Sequence, residues 1–169
     1  NKAKHKYSKR YKYPKPGTTS RMYSKDRSWF RIALEMSKMS TYNGTHIGCI
    51  AVMGHRIVSS GYNTCKTEPL QKRANRMRFT DDGYGNCVHS SHAEIKCLKP
   101  LLQAHGSNLS RVKLYVVRRR RNGTIGLARP CAACMKVIKD VGIKHVYYSG
   151  DSEFLKENVF TGEVCKLSC

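Results

Sequence analysis

Apolar positions fall into short blocks, separated by polar gaps that carry glycine or proline. The first regular block places Phe30, Ile32, Ala33, Leu34 and Met36 on one side of a helix that Asp26 or Ser28 can cap and that runs to about Met39. Two β-rich runs follow, IGCIAVM at 47–53 and RIVSSGY at 56–62, and the Gly54-His55 link between them predicts a hairpin. In PLQKRANRMR (69–78), Leu70, Ala74 and Met77 recur at helical spacing, with Lys72, Arg73, Arg76 and Arg78 on a solvated side. A polar loop over 80–90 leads to a helix from about His92 to Ala104. KLYVVR (113–118) reads as a strand and Asn122-Gly123 as a turn. A helix over 131–141, a strand over 144–148 and a short helix over 152–158 complete the pattern.

The order α-β-β-α-β-α-β-α predicts an α/β protein, with a mixed sheet, parallel late strands and helices on both faces. A length of 169 residues suits one hydrophobic core, and no internal repeat or second domain is visible. The expected division is a basic arm over 1–25, a folded domain over 26–160 and a tail over 161–169.

Charge alters this picture. The chain has 32 Lys+Arg against 11 Asp+Glu, a formal +21, which favours a polyanionic partner such as nucleic acid. Residues 1–31 hold 11 Lys/Arg and one acid, Asp26. The opening NKAKHKYSKRYKYPKPG interleaves lysines with Tyr7, Tyr11 and Tyr13, so a nucleic-acid arm is one reading and a solvated tail the other. No apolar run approaches the roughly 20 residues that span a bilayer, so no membrane partner is expected. No secretory signal is visible, and the eight cysteines read as reduced thiols and metal ligands in an intracellular, cytoplasmic setting.

Two motifs carry chemistry: His92-Ala93-Glu94 and Pro130-Cys131-Ala132-Ala133-Cys134. Both stand where a helix begins. Cysteines three apart on a helix face the same way, and the helix N-terminus favours the thiolate form that zinc needs. Pro130 suits that position because its missing N–H is not required there. With His92 as a nitrogen ligand, Cys131 and Cys134 complete a three-residue set that leaves one tetrahedral position open, as a catalytic zinc requires. Zinc at such a site lowers the pKa of water toward about 7. Glu94, two residues from His92, can then move protons, and H-x-E followed by P-C-x-x-C is the signature of zinc base deaminases.

On these motifs the chain resembles the zinc-dependent cytidine/deoxycytidylate deaminase superfamily, over about Trp29 to Asp151, and its deoxycytidylate deaminase-like branch in particular. Ile47-Gly48-Cys49, Gly61-Tyr62-Asn63 and the stretch Gly142 to Tyr148 match that branch's strands. The resemblance implies a three-layer α/β/α cytidine-deaminase-like fold with a mixed, about five-stranded sheet. It implies one catalytic zinc on His92, Cys131 and Cys134, proton transfer by Glu94, and substrate contacts from Asn63 and the Ala93 backbone. Assembly into a homo-oligomer is usual in the branch.

Arg118, Arg119, Arg120 and Arg121 are consecutive at a predicted hairpin, and with Arg129 they are candidates for phosphate or nucleic-acid contacts. A solvated turn accounts for the run equally well. Cys65, Cys87 and His89 could hold a second zinc but lack compact spacing. Three functions remain open at this stage. The first is deamination of a cytosine nucleotide, and the second is deamination of cytosine or adenine within RNA or single-stranded DNA. The third is a nucleic-acid-associated structural component that retains the fold.

Overall fold

The structure is a computed structural model that describes residues 15–78 and 90–168, with the side chains of Met77 and Arg78 left out. The elements are β1 (Thr18–Arg21), α1 (Ser24–Ser37), β2 (His46–Met53), β3 (Arg56–Tyr62), α2 (Pro69–Arg78), α3 (Ala93–His105), β4 (Val112–Arg119), β5 (Ile125–Gly126), α4 (Ala132–Asp140), β6 (His145–Ser149), β7 (Phe154–Asn158) and β8 (Val164–Ser168). One mixed sheet runs β1-β8-β7-β6-β4-β2-β3, with β5 paired to β4. The β2–β3 hairpin, the parallel β4–β6 pair and helices on both faces match the expected α/β class.

Three expectations change. The sheet has eight strands rather than about five. Residues 154–158 form a strand instead of a short helix, pairing antiparallel with β6 through Val146–Glu157 and Tyr148–Leu155. Val164–Ser168, within the expected tail, forms β8, which receives β1 from the segment read as the arm. The added strands are short and partly polar (TTSR, FLKEN, VCKLS), so they show no apolar run; pairing defines them instead, with an alternating burial in β7. Residues 1–14 of the arm lie outside the described residues.

Helix α1 starts earlier than expected. Tyr23 is its N-cap, and Asp26 sits in the first turn, where Oδ2 accepts the Tyr23 backbone N–H at 3.2 Å. Gly48 of β2 lies against the α1 backbone at Ala33 and Ser37, a gap that a Cβ would fill. Gly61 of β3 plays the same part for α3, since a Cβ there would stand 2.6 Å from the Ala93 carbonyl oxygen and the Cys97 nitrogen. These glycines let one helix settle closely on each face of the sheet, and the second close approach fixes where α3 begins.

The two faces differ in filling. Under α1 lie Phe30, Ile50, Val52, Tyr115, Val117 and Tyr147. Phe30 stacks on Phe154 at 4.1 Å between centroids, and Tyr115 on Tyr147 at 4.5 Å. Across the sheet, Cys49, Ala51, Leu114 and Val116 meet α3 and α4 through Ile95, Leu98, Ala133 and Ile138. No helix among the described residues is long and apolar enough to cross a membrane.

Candidate metal centre

Two helix starts converge on one point. His92 is the N-cap of α3, with an extended backbone at φ −79° and ψ 152°. Cys131 is the N-cap of α4, and Cys134 falls in that helix's first turn. His92 Nδ1 stands 3.5 Å from Cys131 Sγ and 3.3 Å from Cys134 Sγ. A tetrahedral zinc with Zn–S of about 2.3 Å and Zn–N of about 2.0–2.1 Å would space neighbouring ligand atoms about 3.5 Å apart. The residues therefore fit zinc, and this trio is the group of candidate metal ligands found among the described residues.

The electrostatics suit a cation. A hydrogen bond from the Cys134 thiol holds Cys131 well below the ordinary thiol range, helped by His92 and by the Cys134 backbone N–H. Cys134 moves the other way, pushed up by the Cys131 thiolate and by burial.

Glu94, in the first turn of α3, is 3 % exposed, and its Oε2 is buried without a hydrogen-bond partner. Burial raises its pKa to about 7, opposed by His92 and reinforced by Cys131. Ala93 is fully buried between His92 and Glu94. Ser91, also fully buried, leaves its hydroxyl without a partner just before His92.

Asn63 is 6 % exposed, and its side chain organises the loop before β2. Its Oδ1 accepts the Ile47 N–H at 2.8 Å and the Ser40 hydroxyl at 2.7 Å, while its Nδ2 donates to the Thr45 carbonyl at 2.7 Å. One amide hydrogen remains for another partner. Thr64, the next residue, exchanges two backbone hydrogen bonds of 3.0 Å with Ser91, so Asn63 stands beside the segment that delivers His92.

The five candidate phosphate arginines separate. Arg129 makes a bidentate ion pair with Glu157 of β7 at 2.8 and 2.6 Å, and Glu157 also accepts the Tyr148 hydroxyl at 3.0 Å. Arg129 is thus a brace for the loop before Pro130, because a buried carboxylate takes its fork. Arg120 pairs with Asp151 and donates to the Ile125 carbonyl; Arg121 donates to the Asn43 carbonyl; Arg119 meets His46 Nδ1 at 3.0 Å. Arg118 has none of these ties. Of the second-zinc candidates, Cys65 is exposed and donates to the Thr41 carbonyl, while Cys87 and His89 lie outside the described residues.

The sequence pattern missed Gln71. On α2 the buried side is Gln71, Ala74 and Asn75, with Lys72, Arg73 and Arg76 in solvent. Gln71 is fully buried; its Oε1 accepts the His92 backbone N–H at 2.9 Å, and its Nε2 donates to Asn75 Oδ1 at 2.9 Å. The available signal was two amides four residues apart in a helix whose other polar residues are all cationic.

Residues 23–150 match the family described as the cytidine and deoxycytidylate deaminase zinc-binding region, and the chain belongs to that family. Among solved structures it is similar to the dCMP deaminase of cyanophage S-TIM5 in its apo form, at 20% identity and a TM-score of 0.53 over 78% of this chain and 87% of that one. It is also similar to the cytidine deaminase of Burkholderia pseudomallei, at 18% identity and a TM-score of 0.50 over 87% and 93% of the two chains. At these identities the likeness is one of fold. No curated protein is similar enough in sequence to count as a relative.

Proposed function

We propose that this protein hydrolytically deaminates the cytosine of a nucleotide, giving the uracil product and ammonia. The observation that carries the reading is the buried Glu94 Oε2, left without a partner two residues after a histidine that closes on two thiols. A buried unsatisfied carboxyl costs stability, so its retention calls for a chemical use. Membership of a cytidine and deoxycytidylate deaminase family supports a pyrimidine as the base.

His92, Cys131 and Cys134 would hold zinc, which when bound supplies the Lewis acidity that makes water a nucleophile near neutral pH. Glu94 accepts a proton from that water and gives it to N3 of the ring as C4 is attacked. The same carboxyl then takes the proton of the new C4 hydroxyl and passes it to the exocyclic amine, and ammonia departs as the C4–N bond breaks and C4=O forms. Burial keeps Glu94 out of bulk water, so its proton passes to the base and not to solvent. The Ala93 backbone and the remaining Asn63 amide hydrogen are the proposed donors to the substrate. Gln71, through the His92 N–H, fixes where α3 starts and hence where the imidazole stands.

Ammonia release from deoxycytidylate, cytidine, single-stranded DNA and RNA, with Glu94→Ala alongside, tests this reading. Turnover of the monophosphate, lost in the variant, is the expected result. Turnover confined to strands would assign the activity to nucleic acid, which the formal charge of +21 favours. Zinc binding without turnover on any substrate would leave a structural component.

A further inference from the structure

We infer that the arginine-lined hollow between β1 and α1 binds the phosphate backbone of a single-stranded nucleic acid. The hollow lies across the sheet from the metal centre, and its binding is independent of the reaction proposed above.

The hollow has a volume of about 510 Å³ and is lined by Arg21, Met22, Ser24, Arg27, Ser28 and Arg31. Arg21 ends β1, which reaches this place by pairing parallel with β8, from Thr18–Cys165 to Arg21–Ser168. Ser24, Arg27, Ser28 and Arg31 recur at the spacing of three and four that sets residues on one side of a helix. Phe30 and Ala33 of the same helix are buried with Met22 in the core beneath it. Cys131 and Cys134 pack in the core on the other side of the sheet.

The charge in this hollow is uncompensated. Arg21, Arg27 and Arg31 are all exposed, and none of their guanidiniums meets an acceptor among the described residues. Asp26, the acid beside them in sequence, is spent elsewhere: Oδ1 accepts the Tyr115 hydroxyl at 2.7 Å and Oδ2 the Tyr23 N–H at 3.2 Å. The ion pairs of the described residues fall on Glu35, Glu68, Asp140, Asp151 and Glu157, none of which lines the hollow. Like charges four apart on a helix oppose one another, so an anion lying across Arg27 and Arg31 relieves that repulsion. Lys156 of β7 adds a cation to the same face, with Nζ 5.7 Å from the centre of the Tyr147 ring.

The chemistry selects the partner. A guanidinium keeps its charge and presents a fork that matches phosphate oxygens. Two such forks four residues apart, about 6 Å along the helix axis, can meet successive phosphates of one strand. Tyr23, between the lining residues Met22 and Ser24, is 68% exposed. An aromatic ring in water beside phosphate-binding groups is a platform for an unpaired base, which favours a single strand over a duplex. A lipid surface would take apolar side chains into itself, and the apolar lining residue here, Met22, is buried.

The test is fluorescence anisotropy of a labelled oligothymidylate with the zinc-loaded protein, titrated at several salt concentrations. Arg27→Gln combined with Arg31→Gln should weaken binding about 10- to 30-fold at 0.1 M salt, and should lower the slope of log K against log salt by about 1.4, as two lost phosphate contacts on a single strand predict. Lys72→Gln combined with Arg73→Gln, the same charge change on the exposed side of α2, should cost far less. Tyr23→Leu should weaken binding about 5-fold or more, whereas Tyr23→Phe should keep it. Melting temperatures should match wild type, since every substituted side chain is exposed. Equal losses from the two double variants would mean diffuse attraction and would overturn the inference. So would phosphatidylserine vesicles that bind through Arg27 and Arg31 when oligothymidylate does not. Thymine carries no exocyclic amine, so this readout is separate from turnover. A protein that deaminates cytosine but binds no strand would sink this inference alone; one that binds through these arginines without turnover would sink the deaminase reading alone.

Discussion

The two faces of the sheet are built to different standards. Beneath α1 the filling is largely aromatic, and the Tyr115 hydroxyl within it is held by Asp26 Oδ1 at 2.7 Å. Beneath α2, α3 and α4 the interior admits Gln71, Asn75, Ser91, Glu94 and Glu157, and leaves Ser91 Oγ and Glu94 Oε2 without partners. The second face also presents two helix N-termini to one another at a histidine and two thiols. One face supplies stability, and the other holds groups whose value lies in what they can bind or transfer. Buried polar groups that a fold leaves unpaired are where stability has been given up for function.

The sharpest break of this comparison is Glu94→Gln. Loss of the proton carrier should lower turnover about 10²- to 10⁴-fold. Zinc stoichiometry should be unchanged, and the melting temperature should hold or rise, because a neutral amide replaces a desolvated acid. A variant that keeps full activity would remove Glu94 from the chemistry. The mirror experiment is Phe30→Ala on the opposite face, where Phe30 is 2 % exposed. Truncating it should lower unfolding free energy by about 3–5 kcal/mol in a denaturant titration. Zinc affinity of the folded protein should be the same as wild type; a drop would mean that the two faces are not independent.

A smaller effect is expected where the faces' logic meets in one residue. Gln71→Leu removes the donor to Asn75 Oδ1 and the acceptor of the His92 N–H, which should destabilise the fold by about 1–3 kcal/mol. It should also weaken zinc binding in chelator competition, by about 10- to 100-fold if the support behaves as outer-shell partners do elsewhere. Unaltered zinc affinity would reduce Gln71 to packing. The smallest effect concerns His145, far along the sheet in β6. Burial, with Lys156, Lys144 and Lys113 around it, lowers its pKa to about 4, and its Nδ1 has no partner. The folded state then binds fewer protons than the unfolded state between about pH 6.5 and pH 4, so stability falls as pH drops through that window. His145→Asn should flatten this slope in melting curves; an unchanged slope would place the effect on other groups.

The candidate metal ligands were legible because their chemistry is local. Cys131 and Cys134 share one helical turn, His92 and Glu94 share another, and Pro130 marks where the first begins, so spacing alone carries the site. The hairpin at Gly54-His55 and the strand at 113–118 were legible for the same reason, since their apolar runs and turn residues lie within a few positions. Residues whose partners lie far along the chain were not. Phe154 to Asn158 reads poorly as a strand because Glu157 looks like a surface residue until Arg129, 28 positions away, arrives to neutralise it. Arg129 in turn looks like a phosphate ligand until Glu157 takes it.

The sequence by itself therefore determined the class of fold, the candidate metal-binding trio and the acid beside it, because periodicity and short-range geometry are written in neighbouring residues. The tertiary structure decided the number and order of strands, the support of His92 by Gln71, and which of the five arginines meet an acceptor among the described residues. Those outcomes depend on hydrogen bonds and ion pairs between distant segments, and such pairings exist only once the chain has folded back on itself.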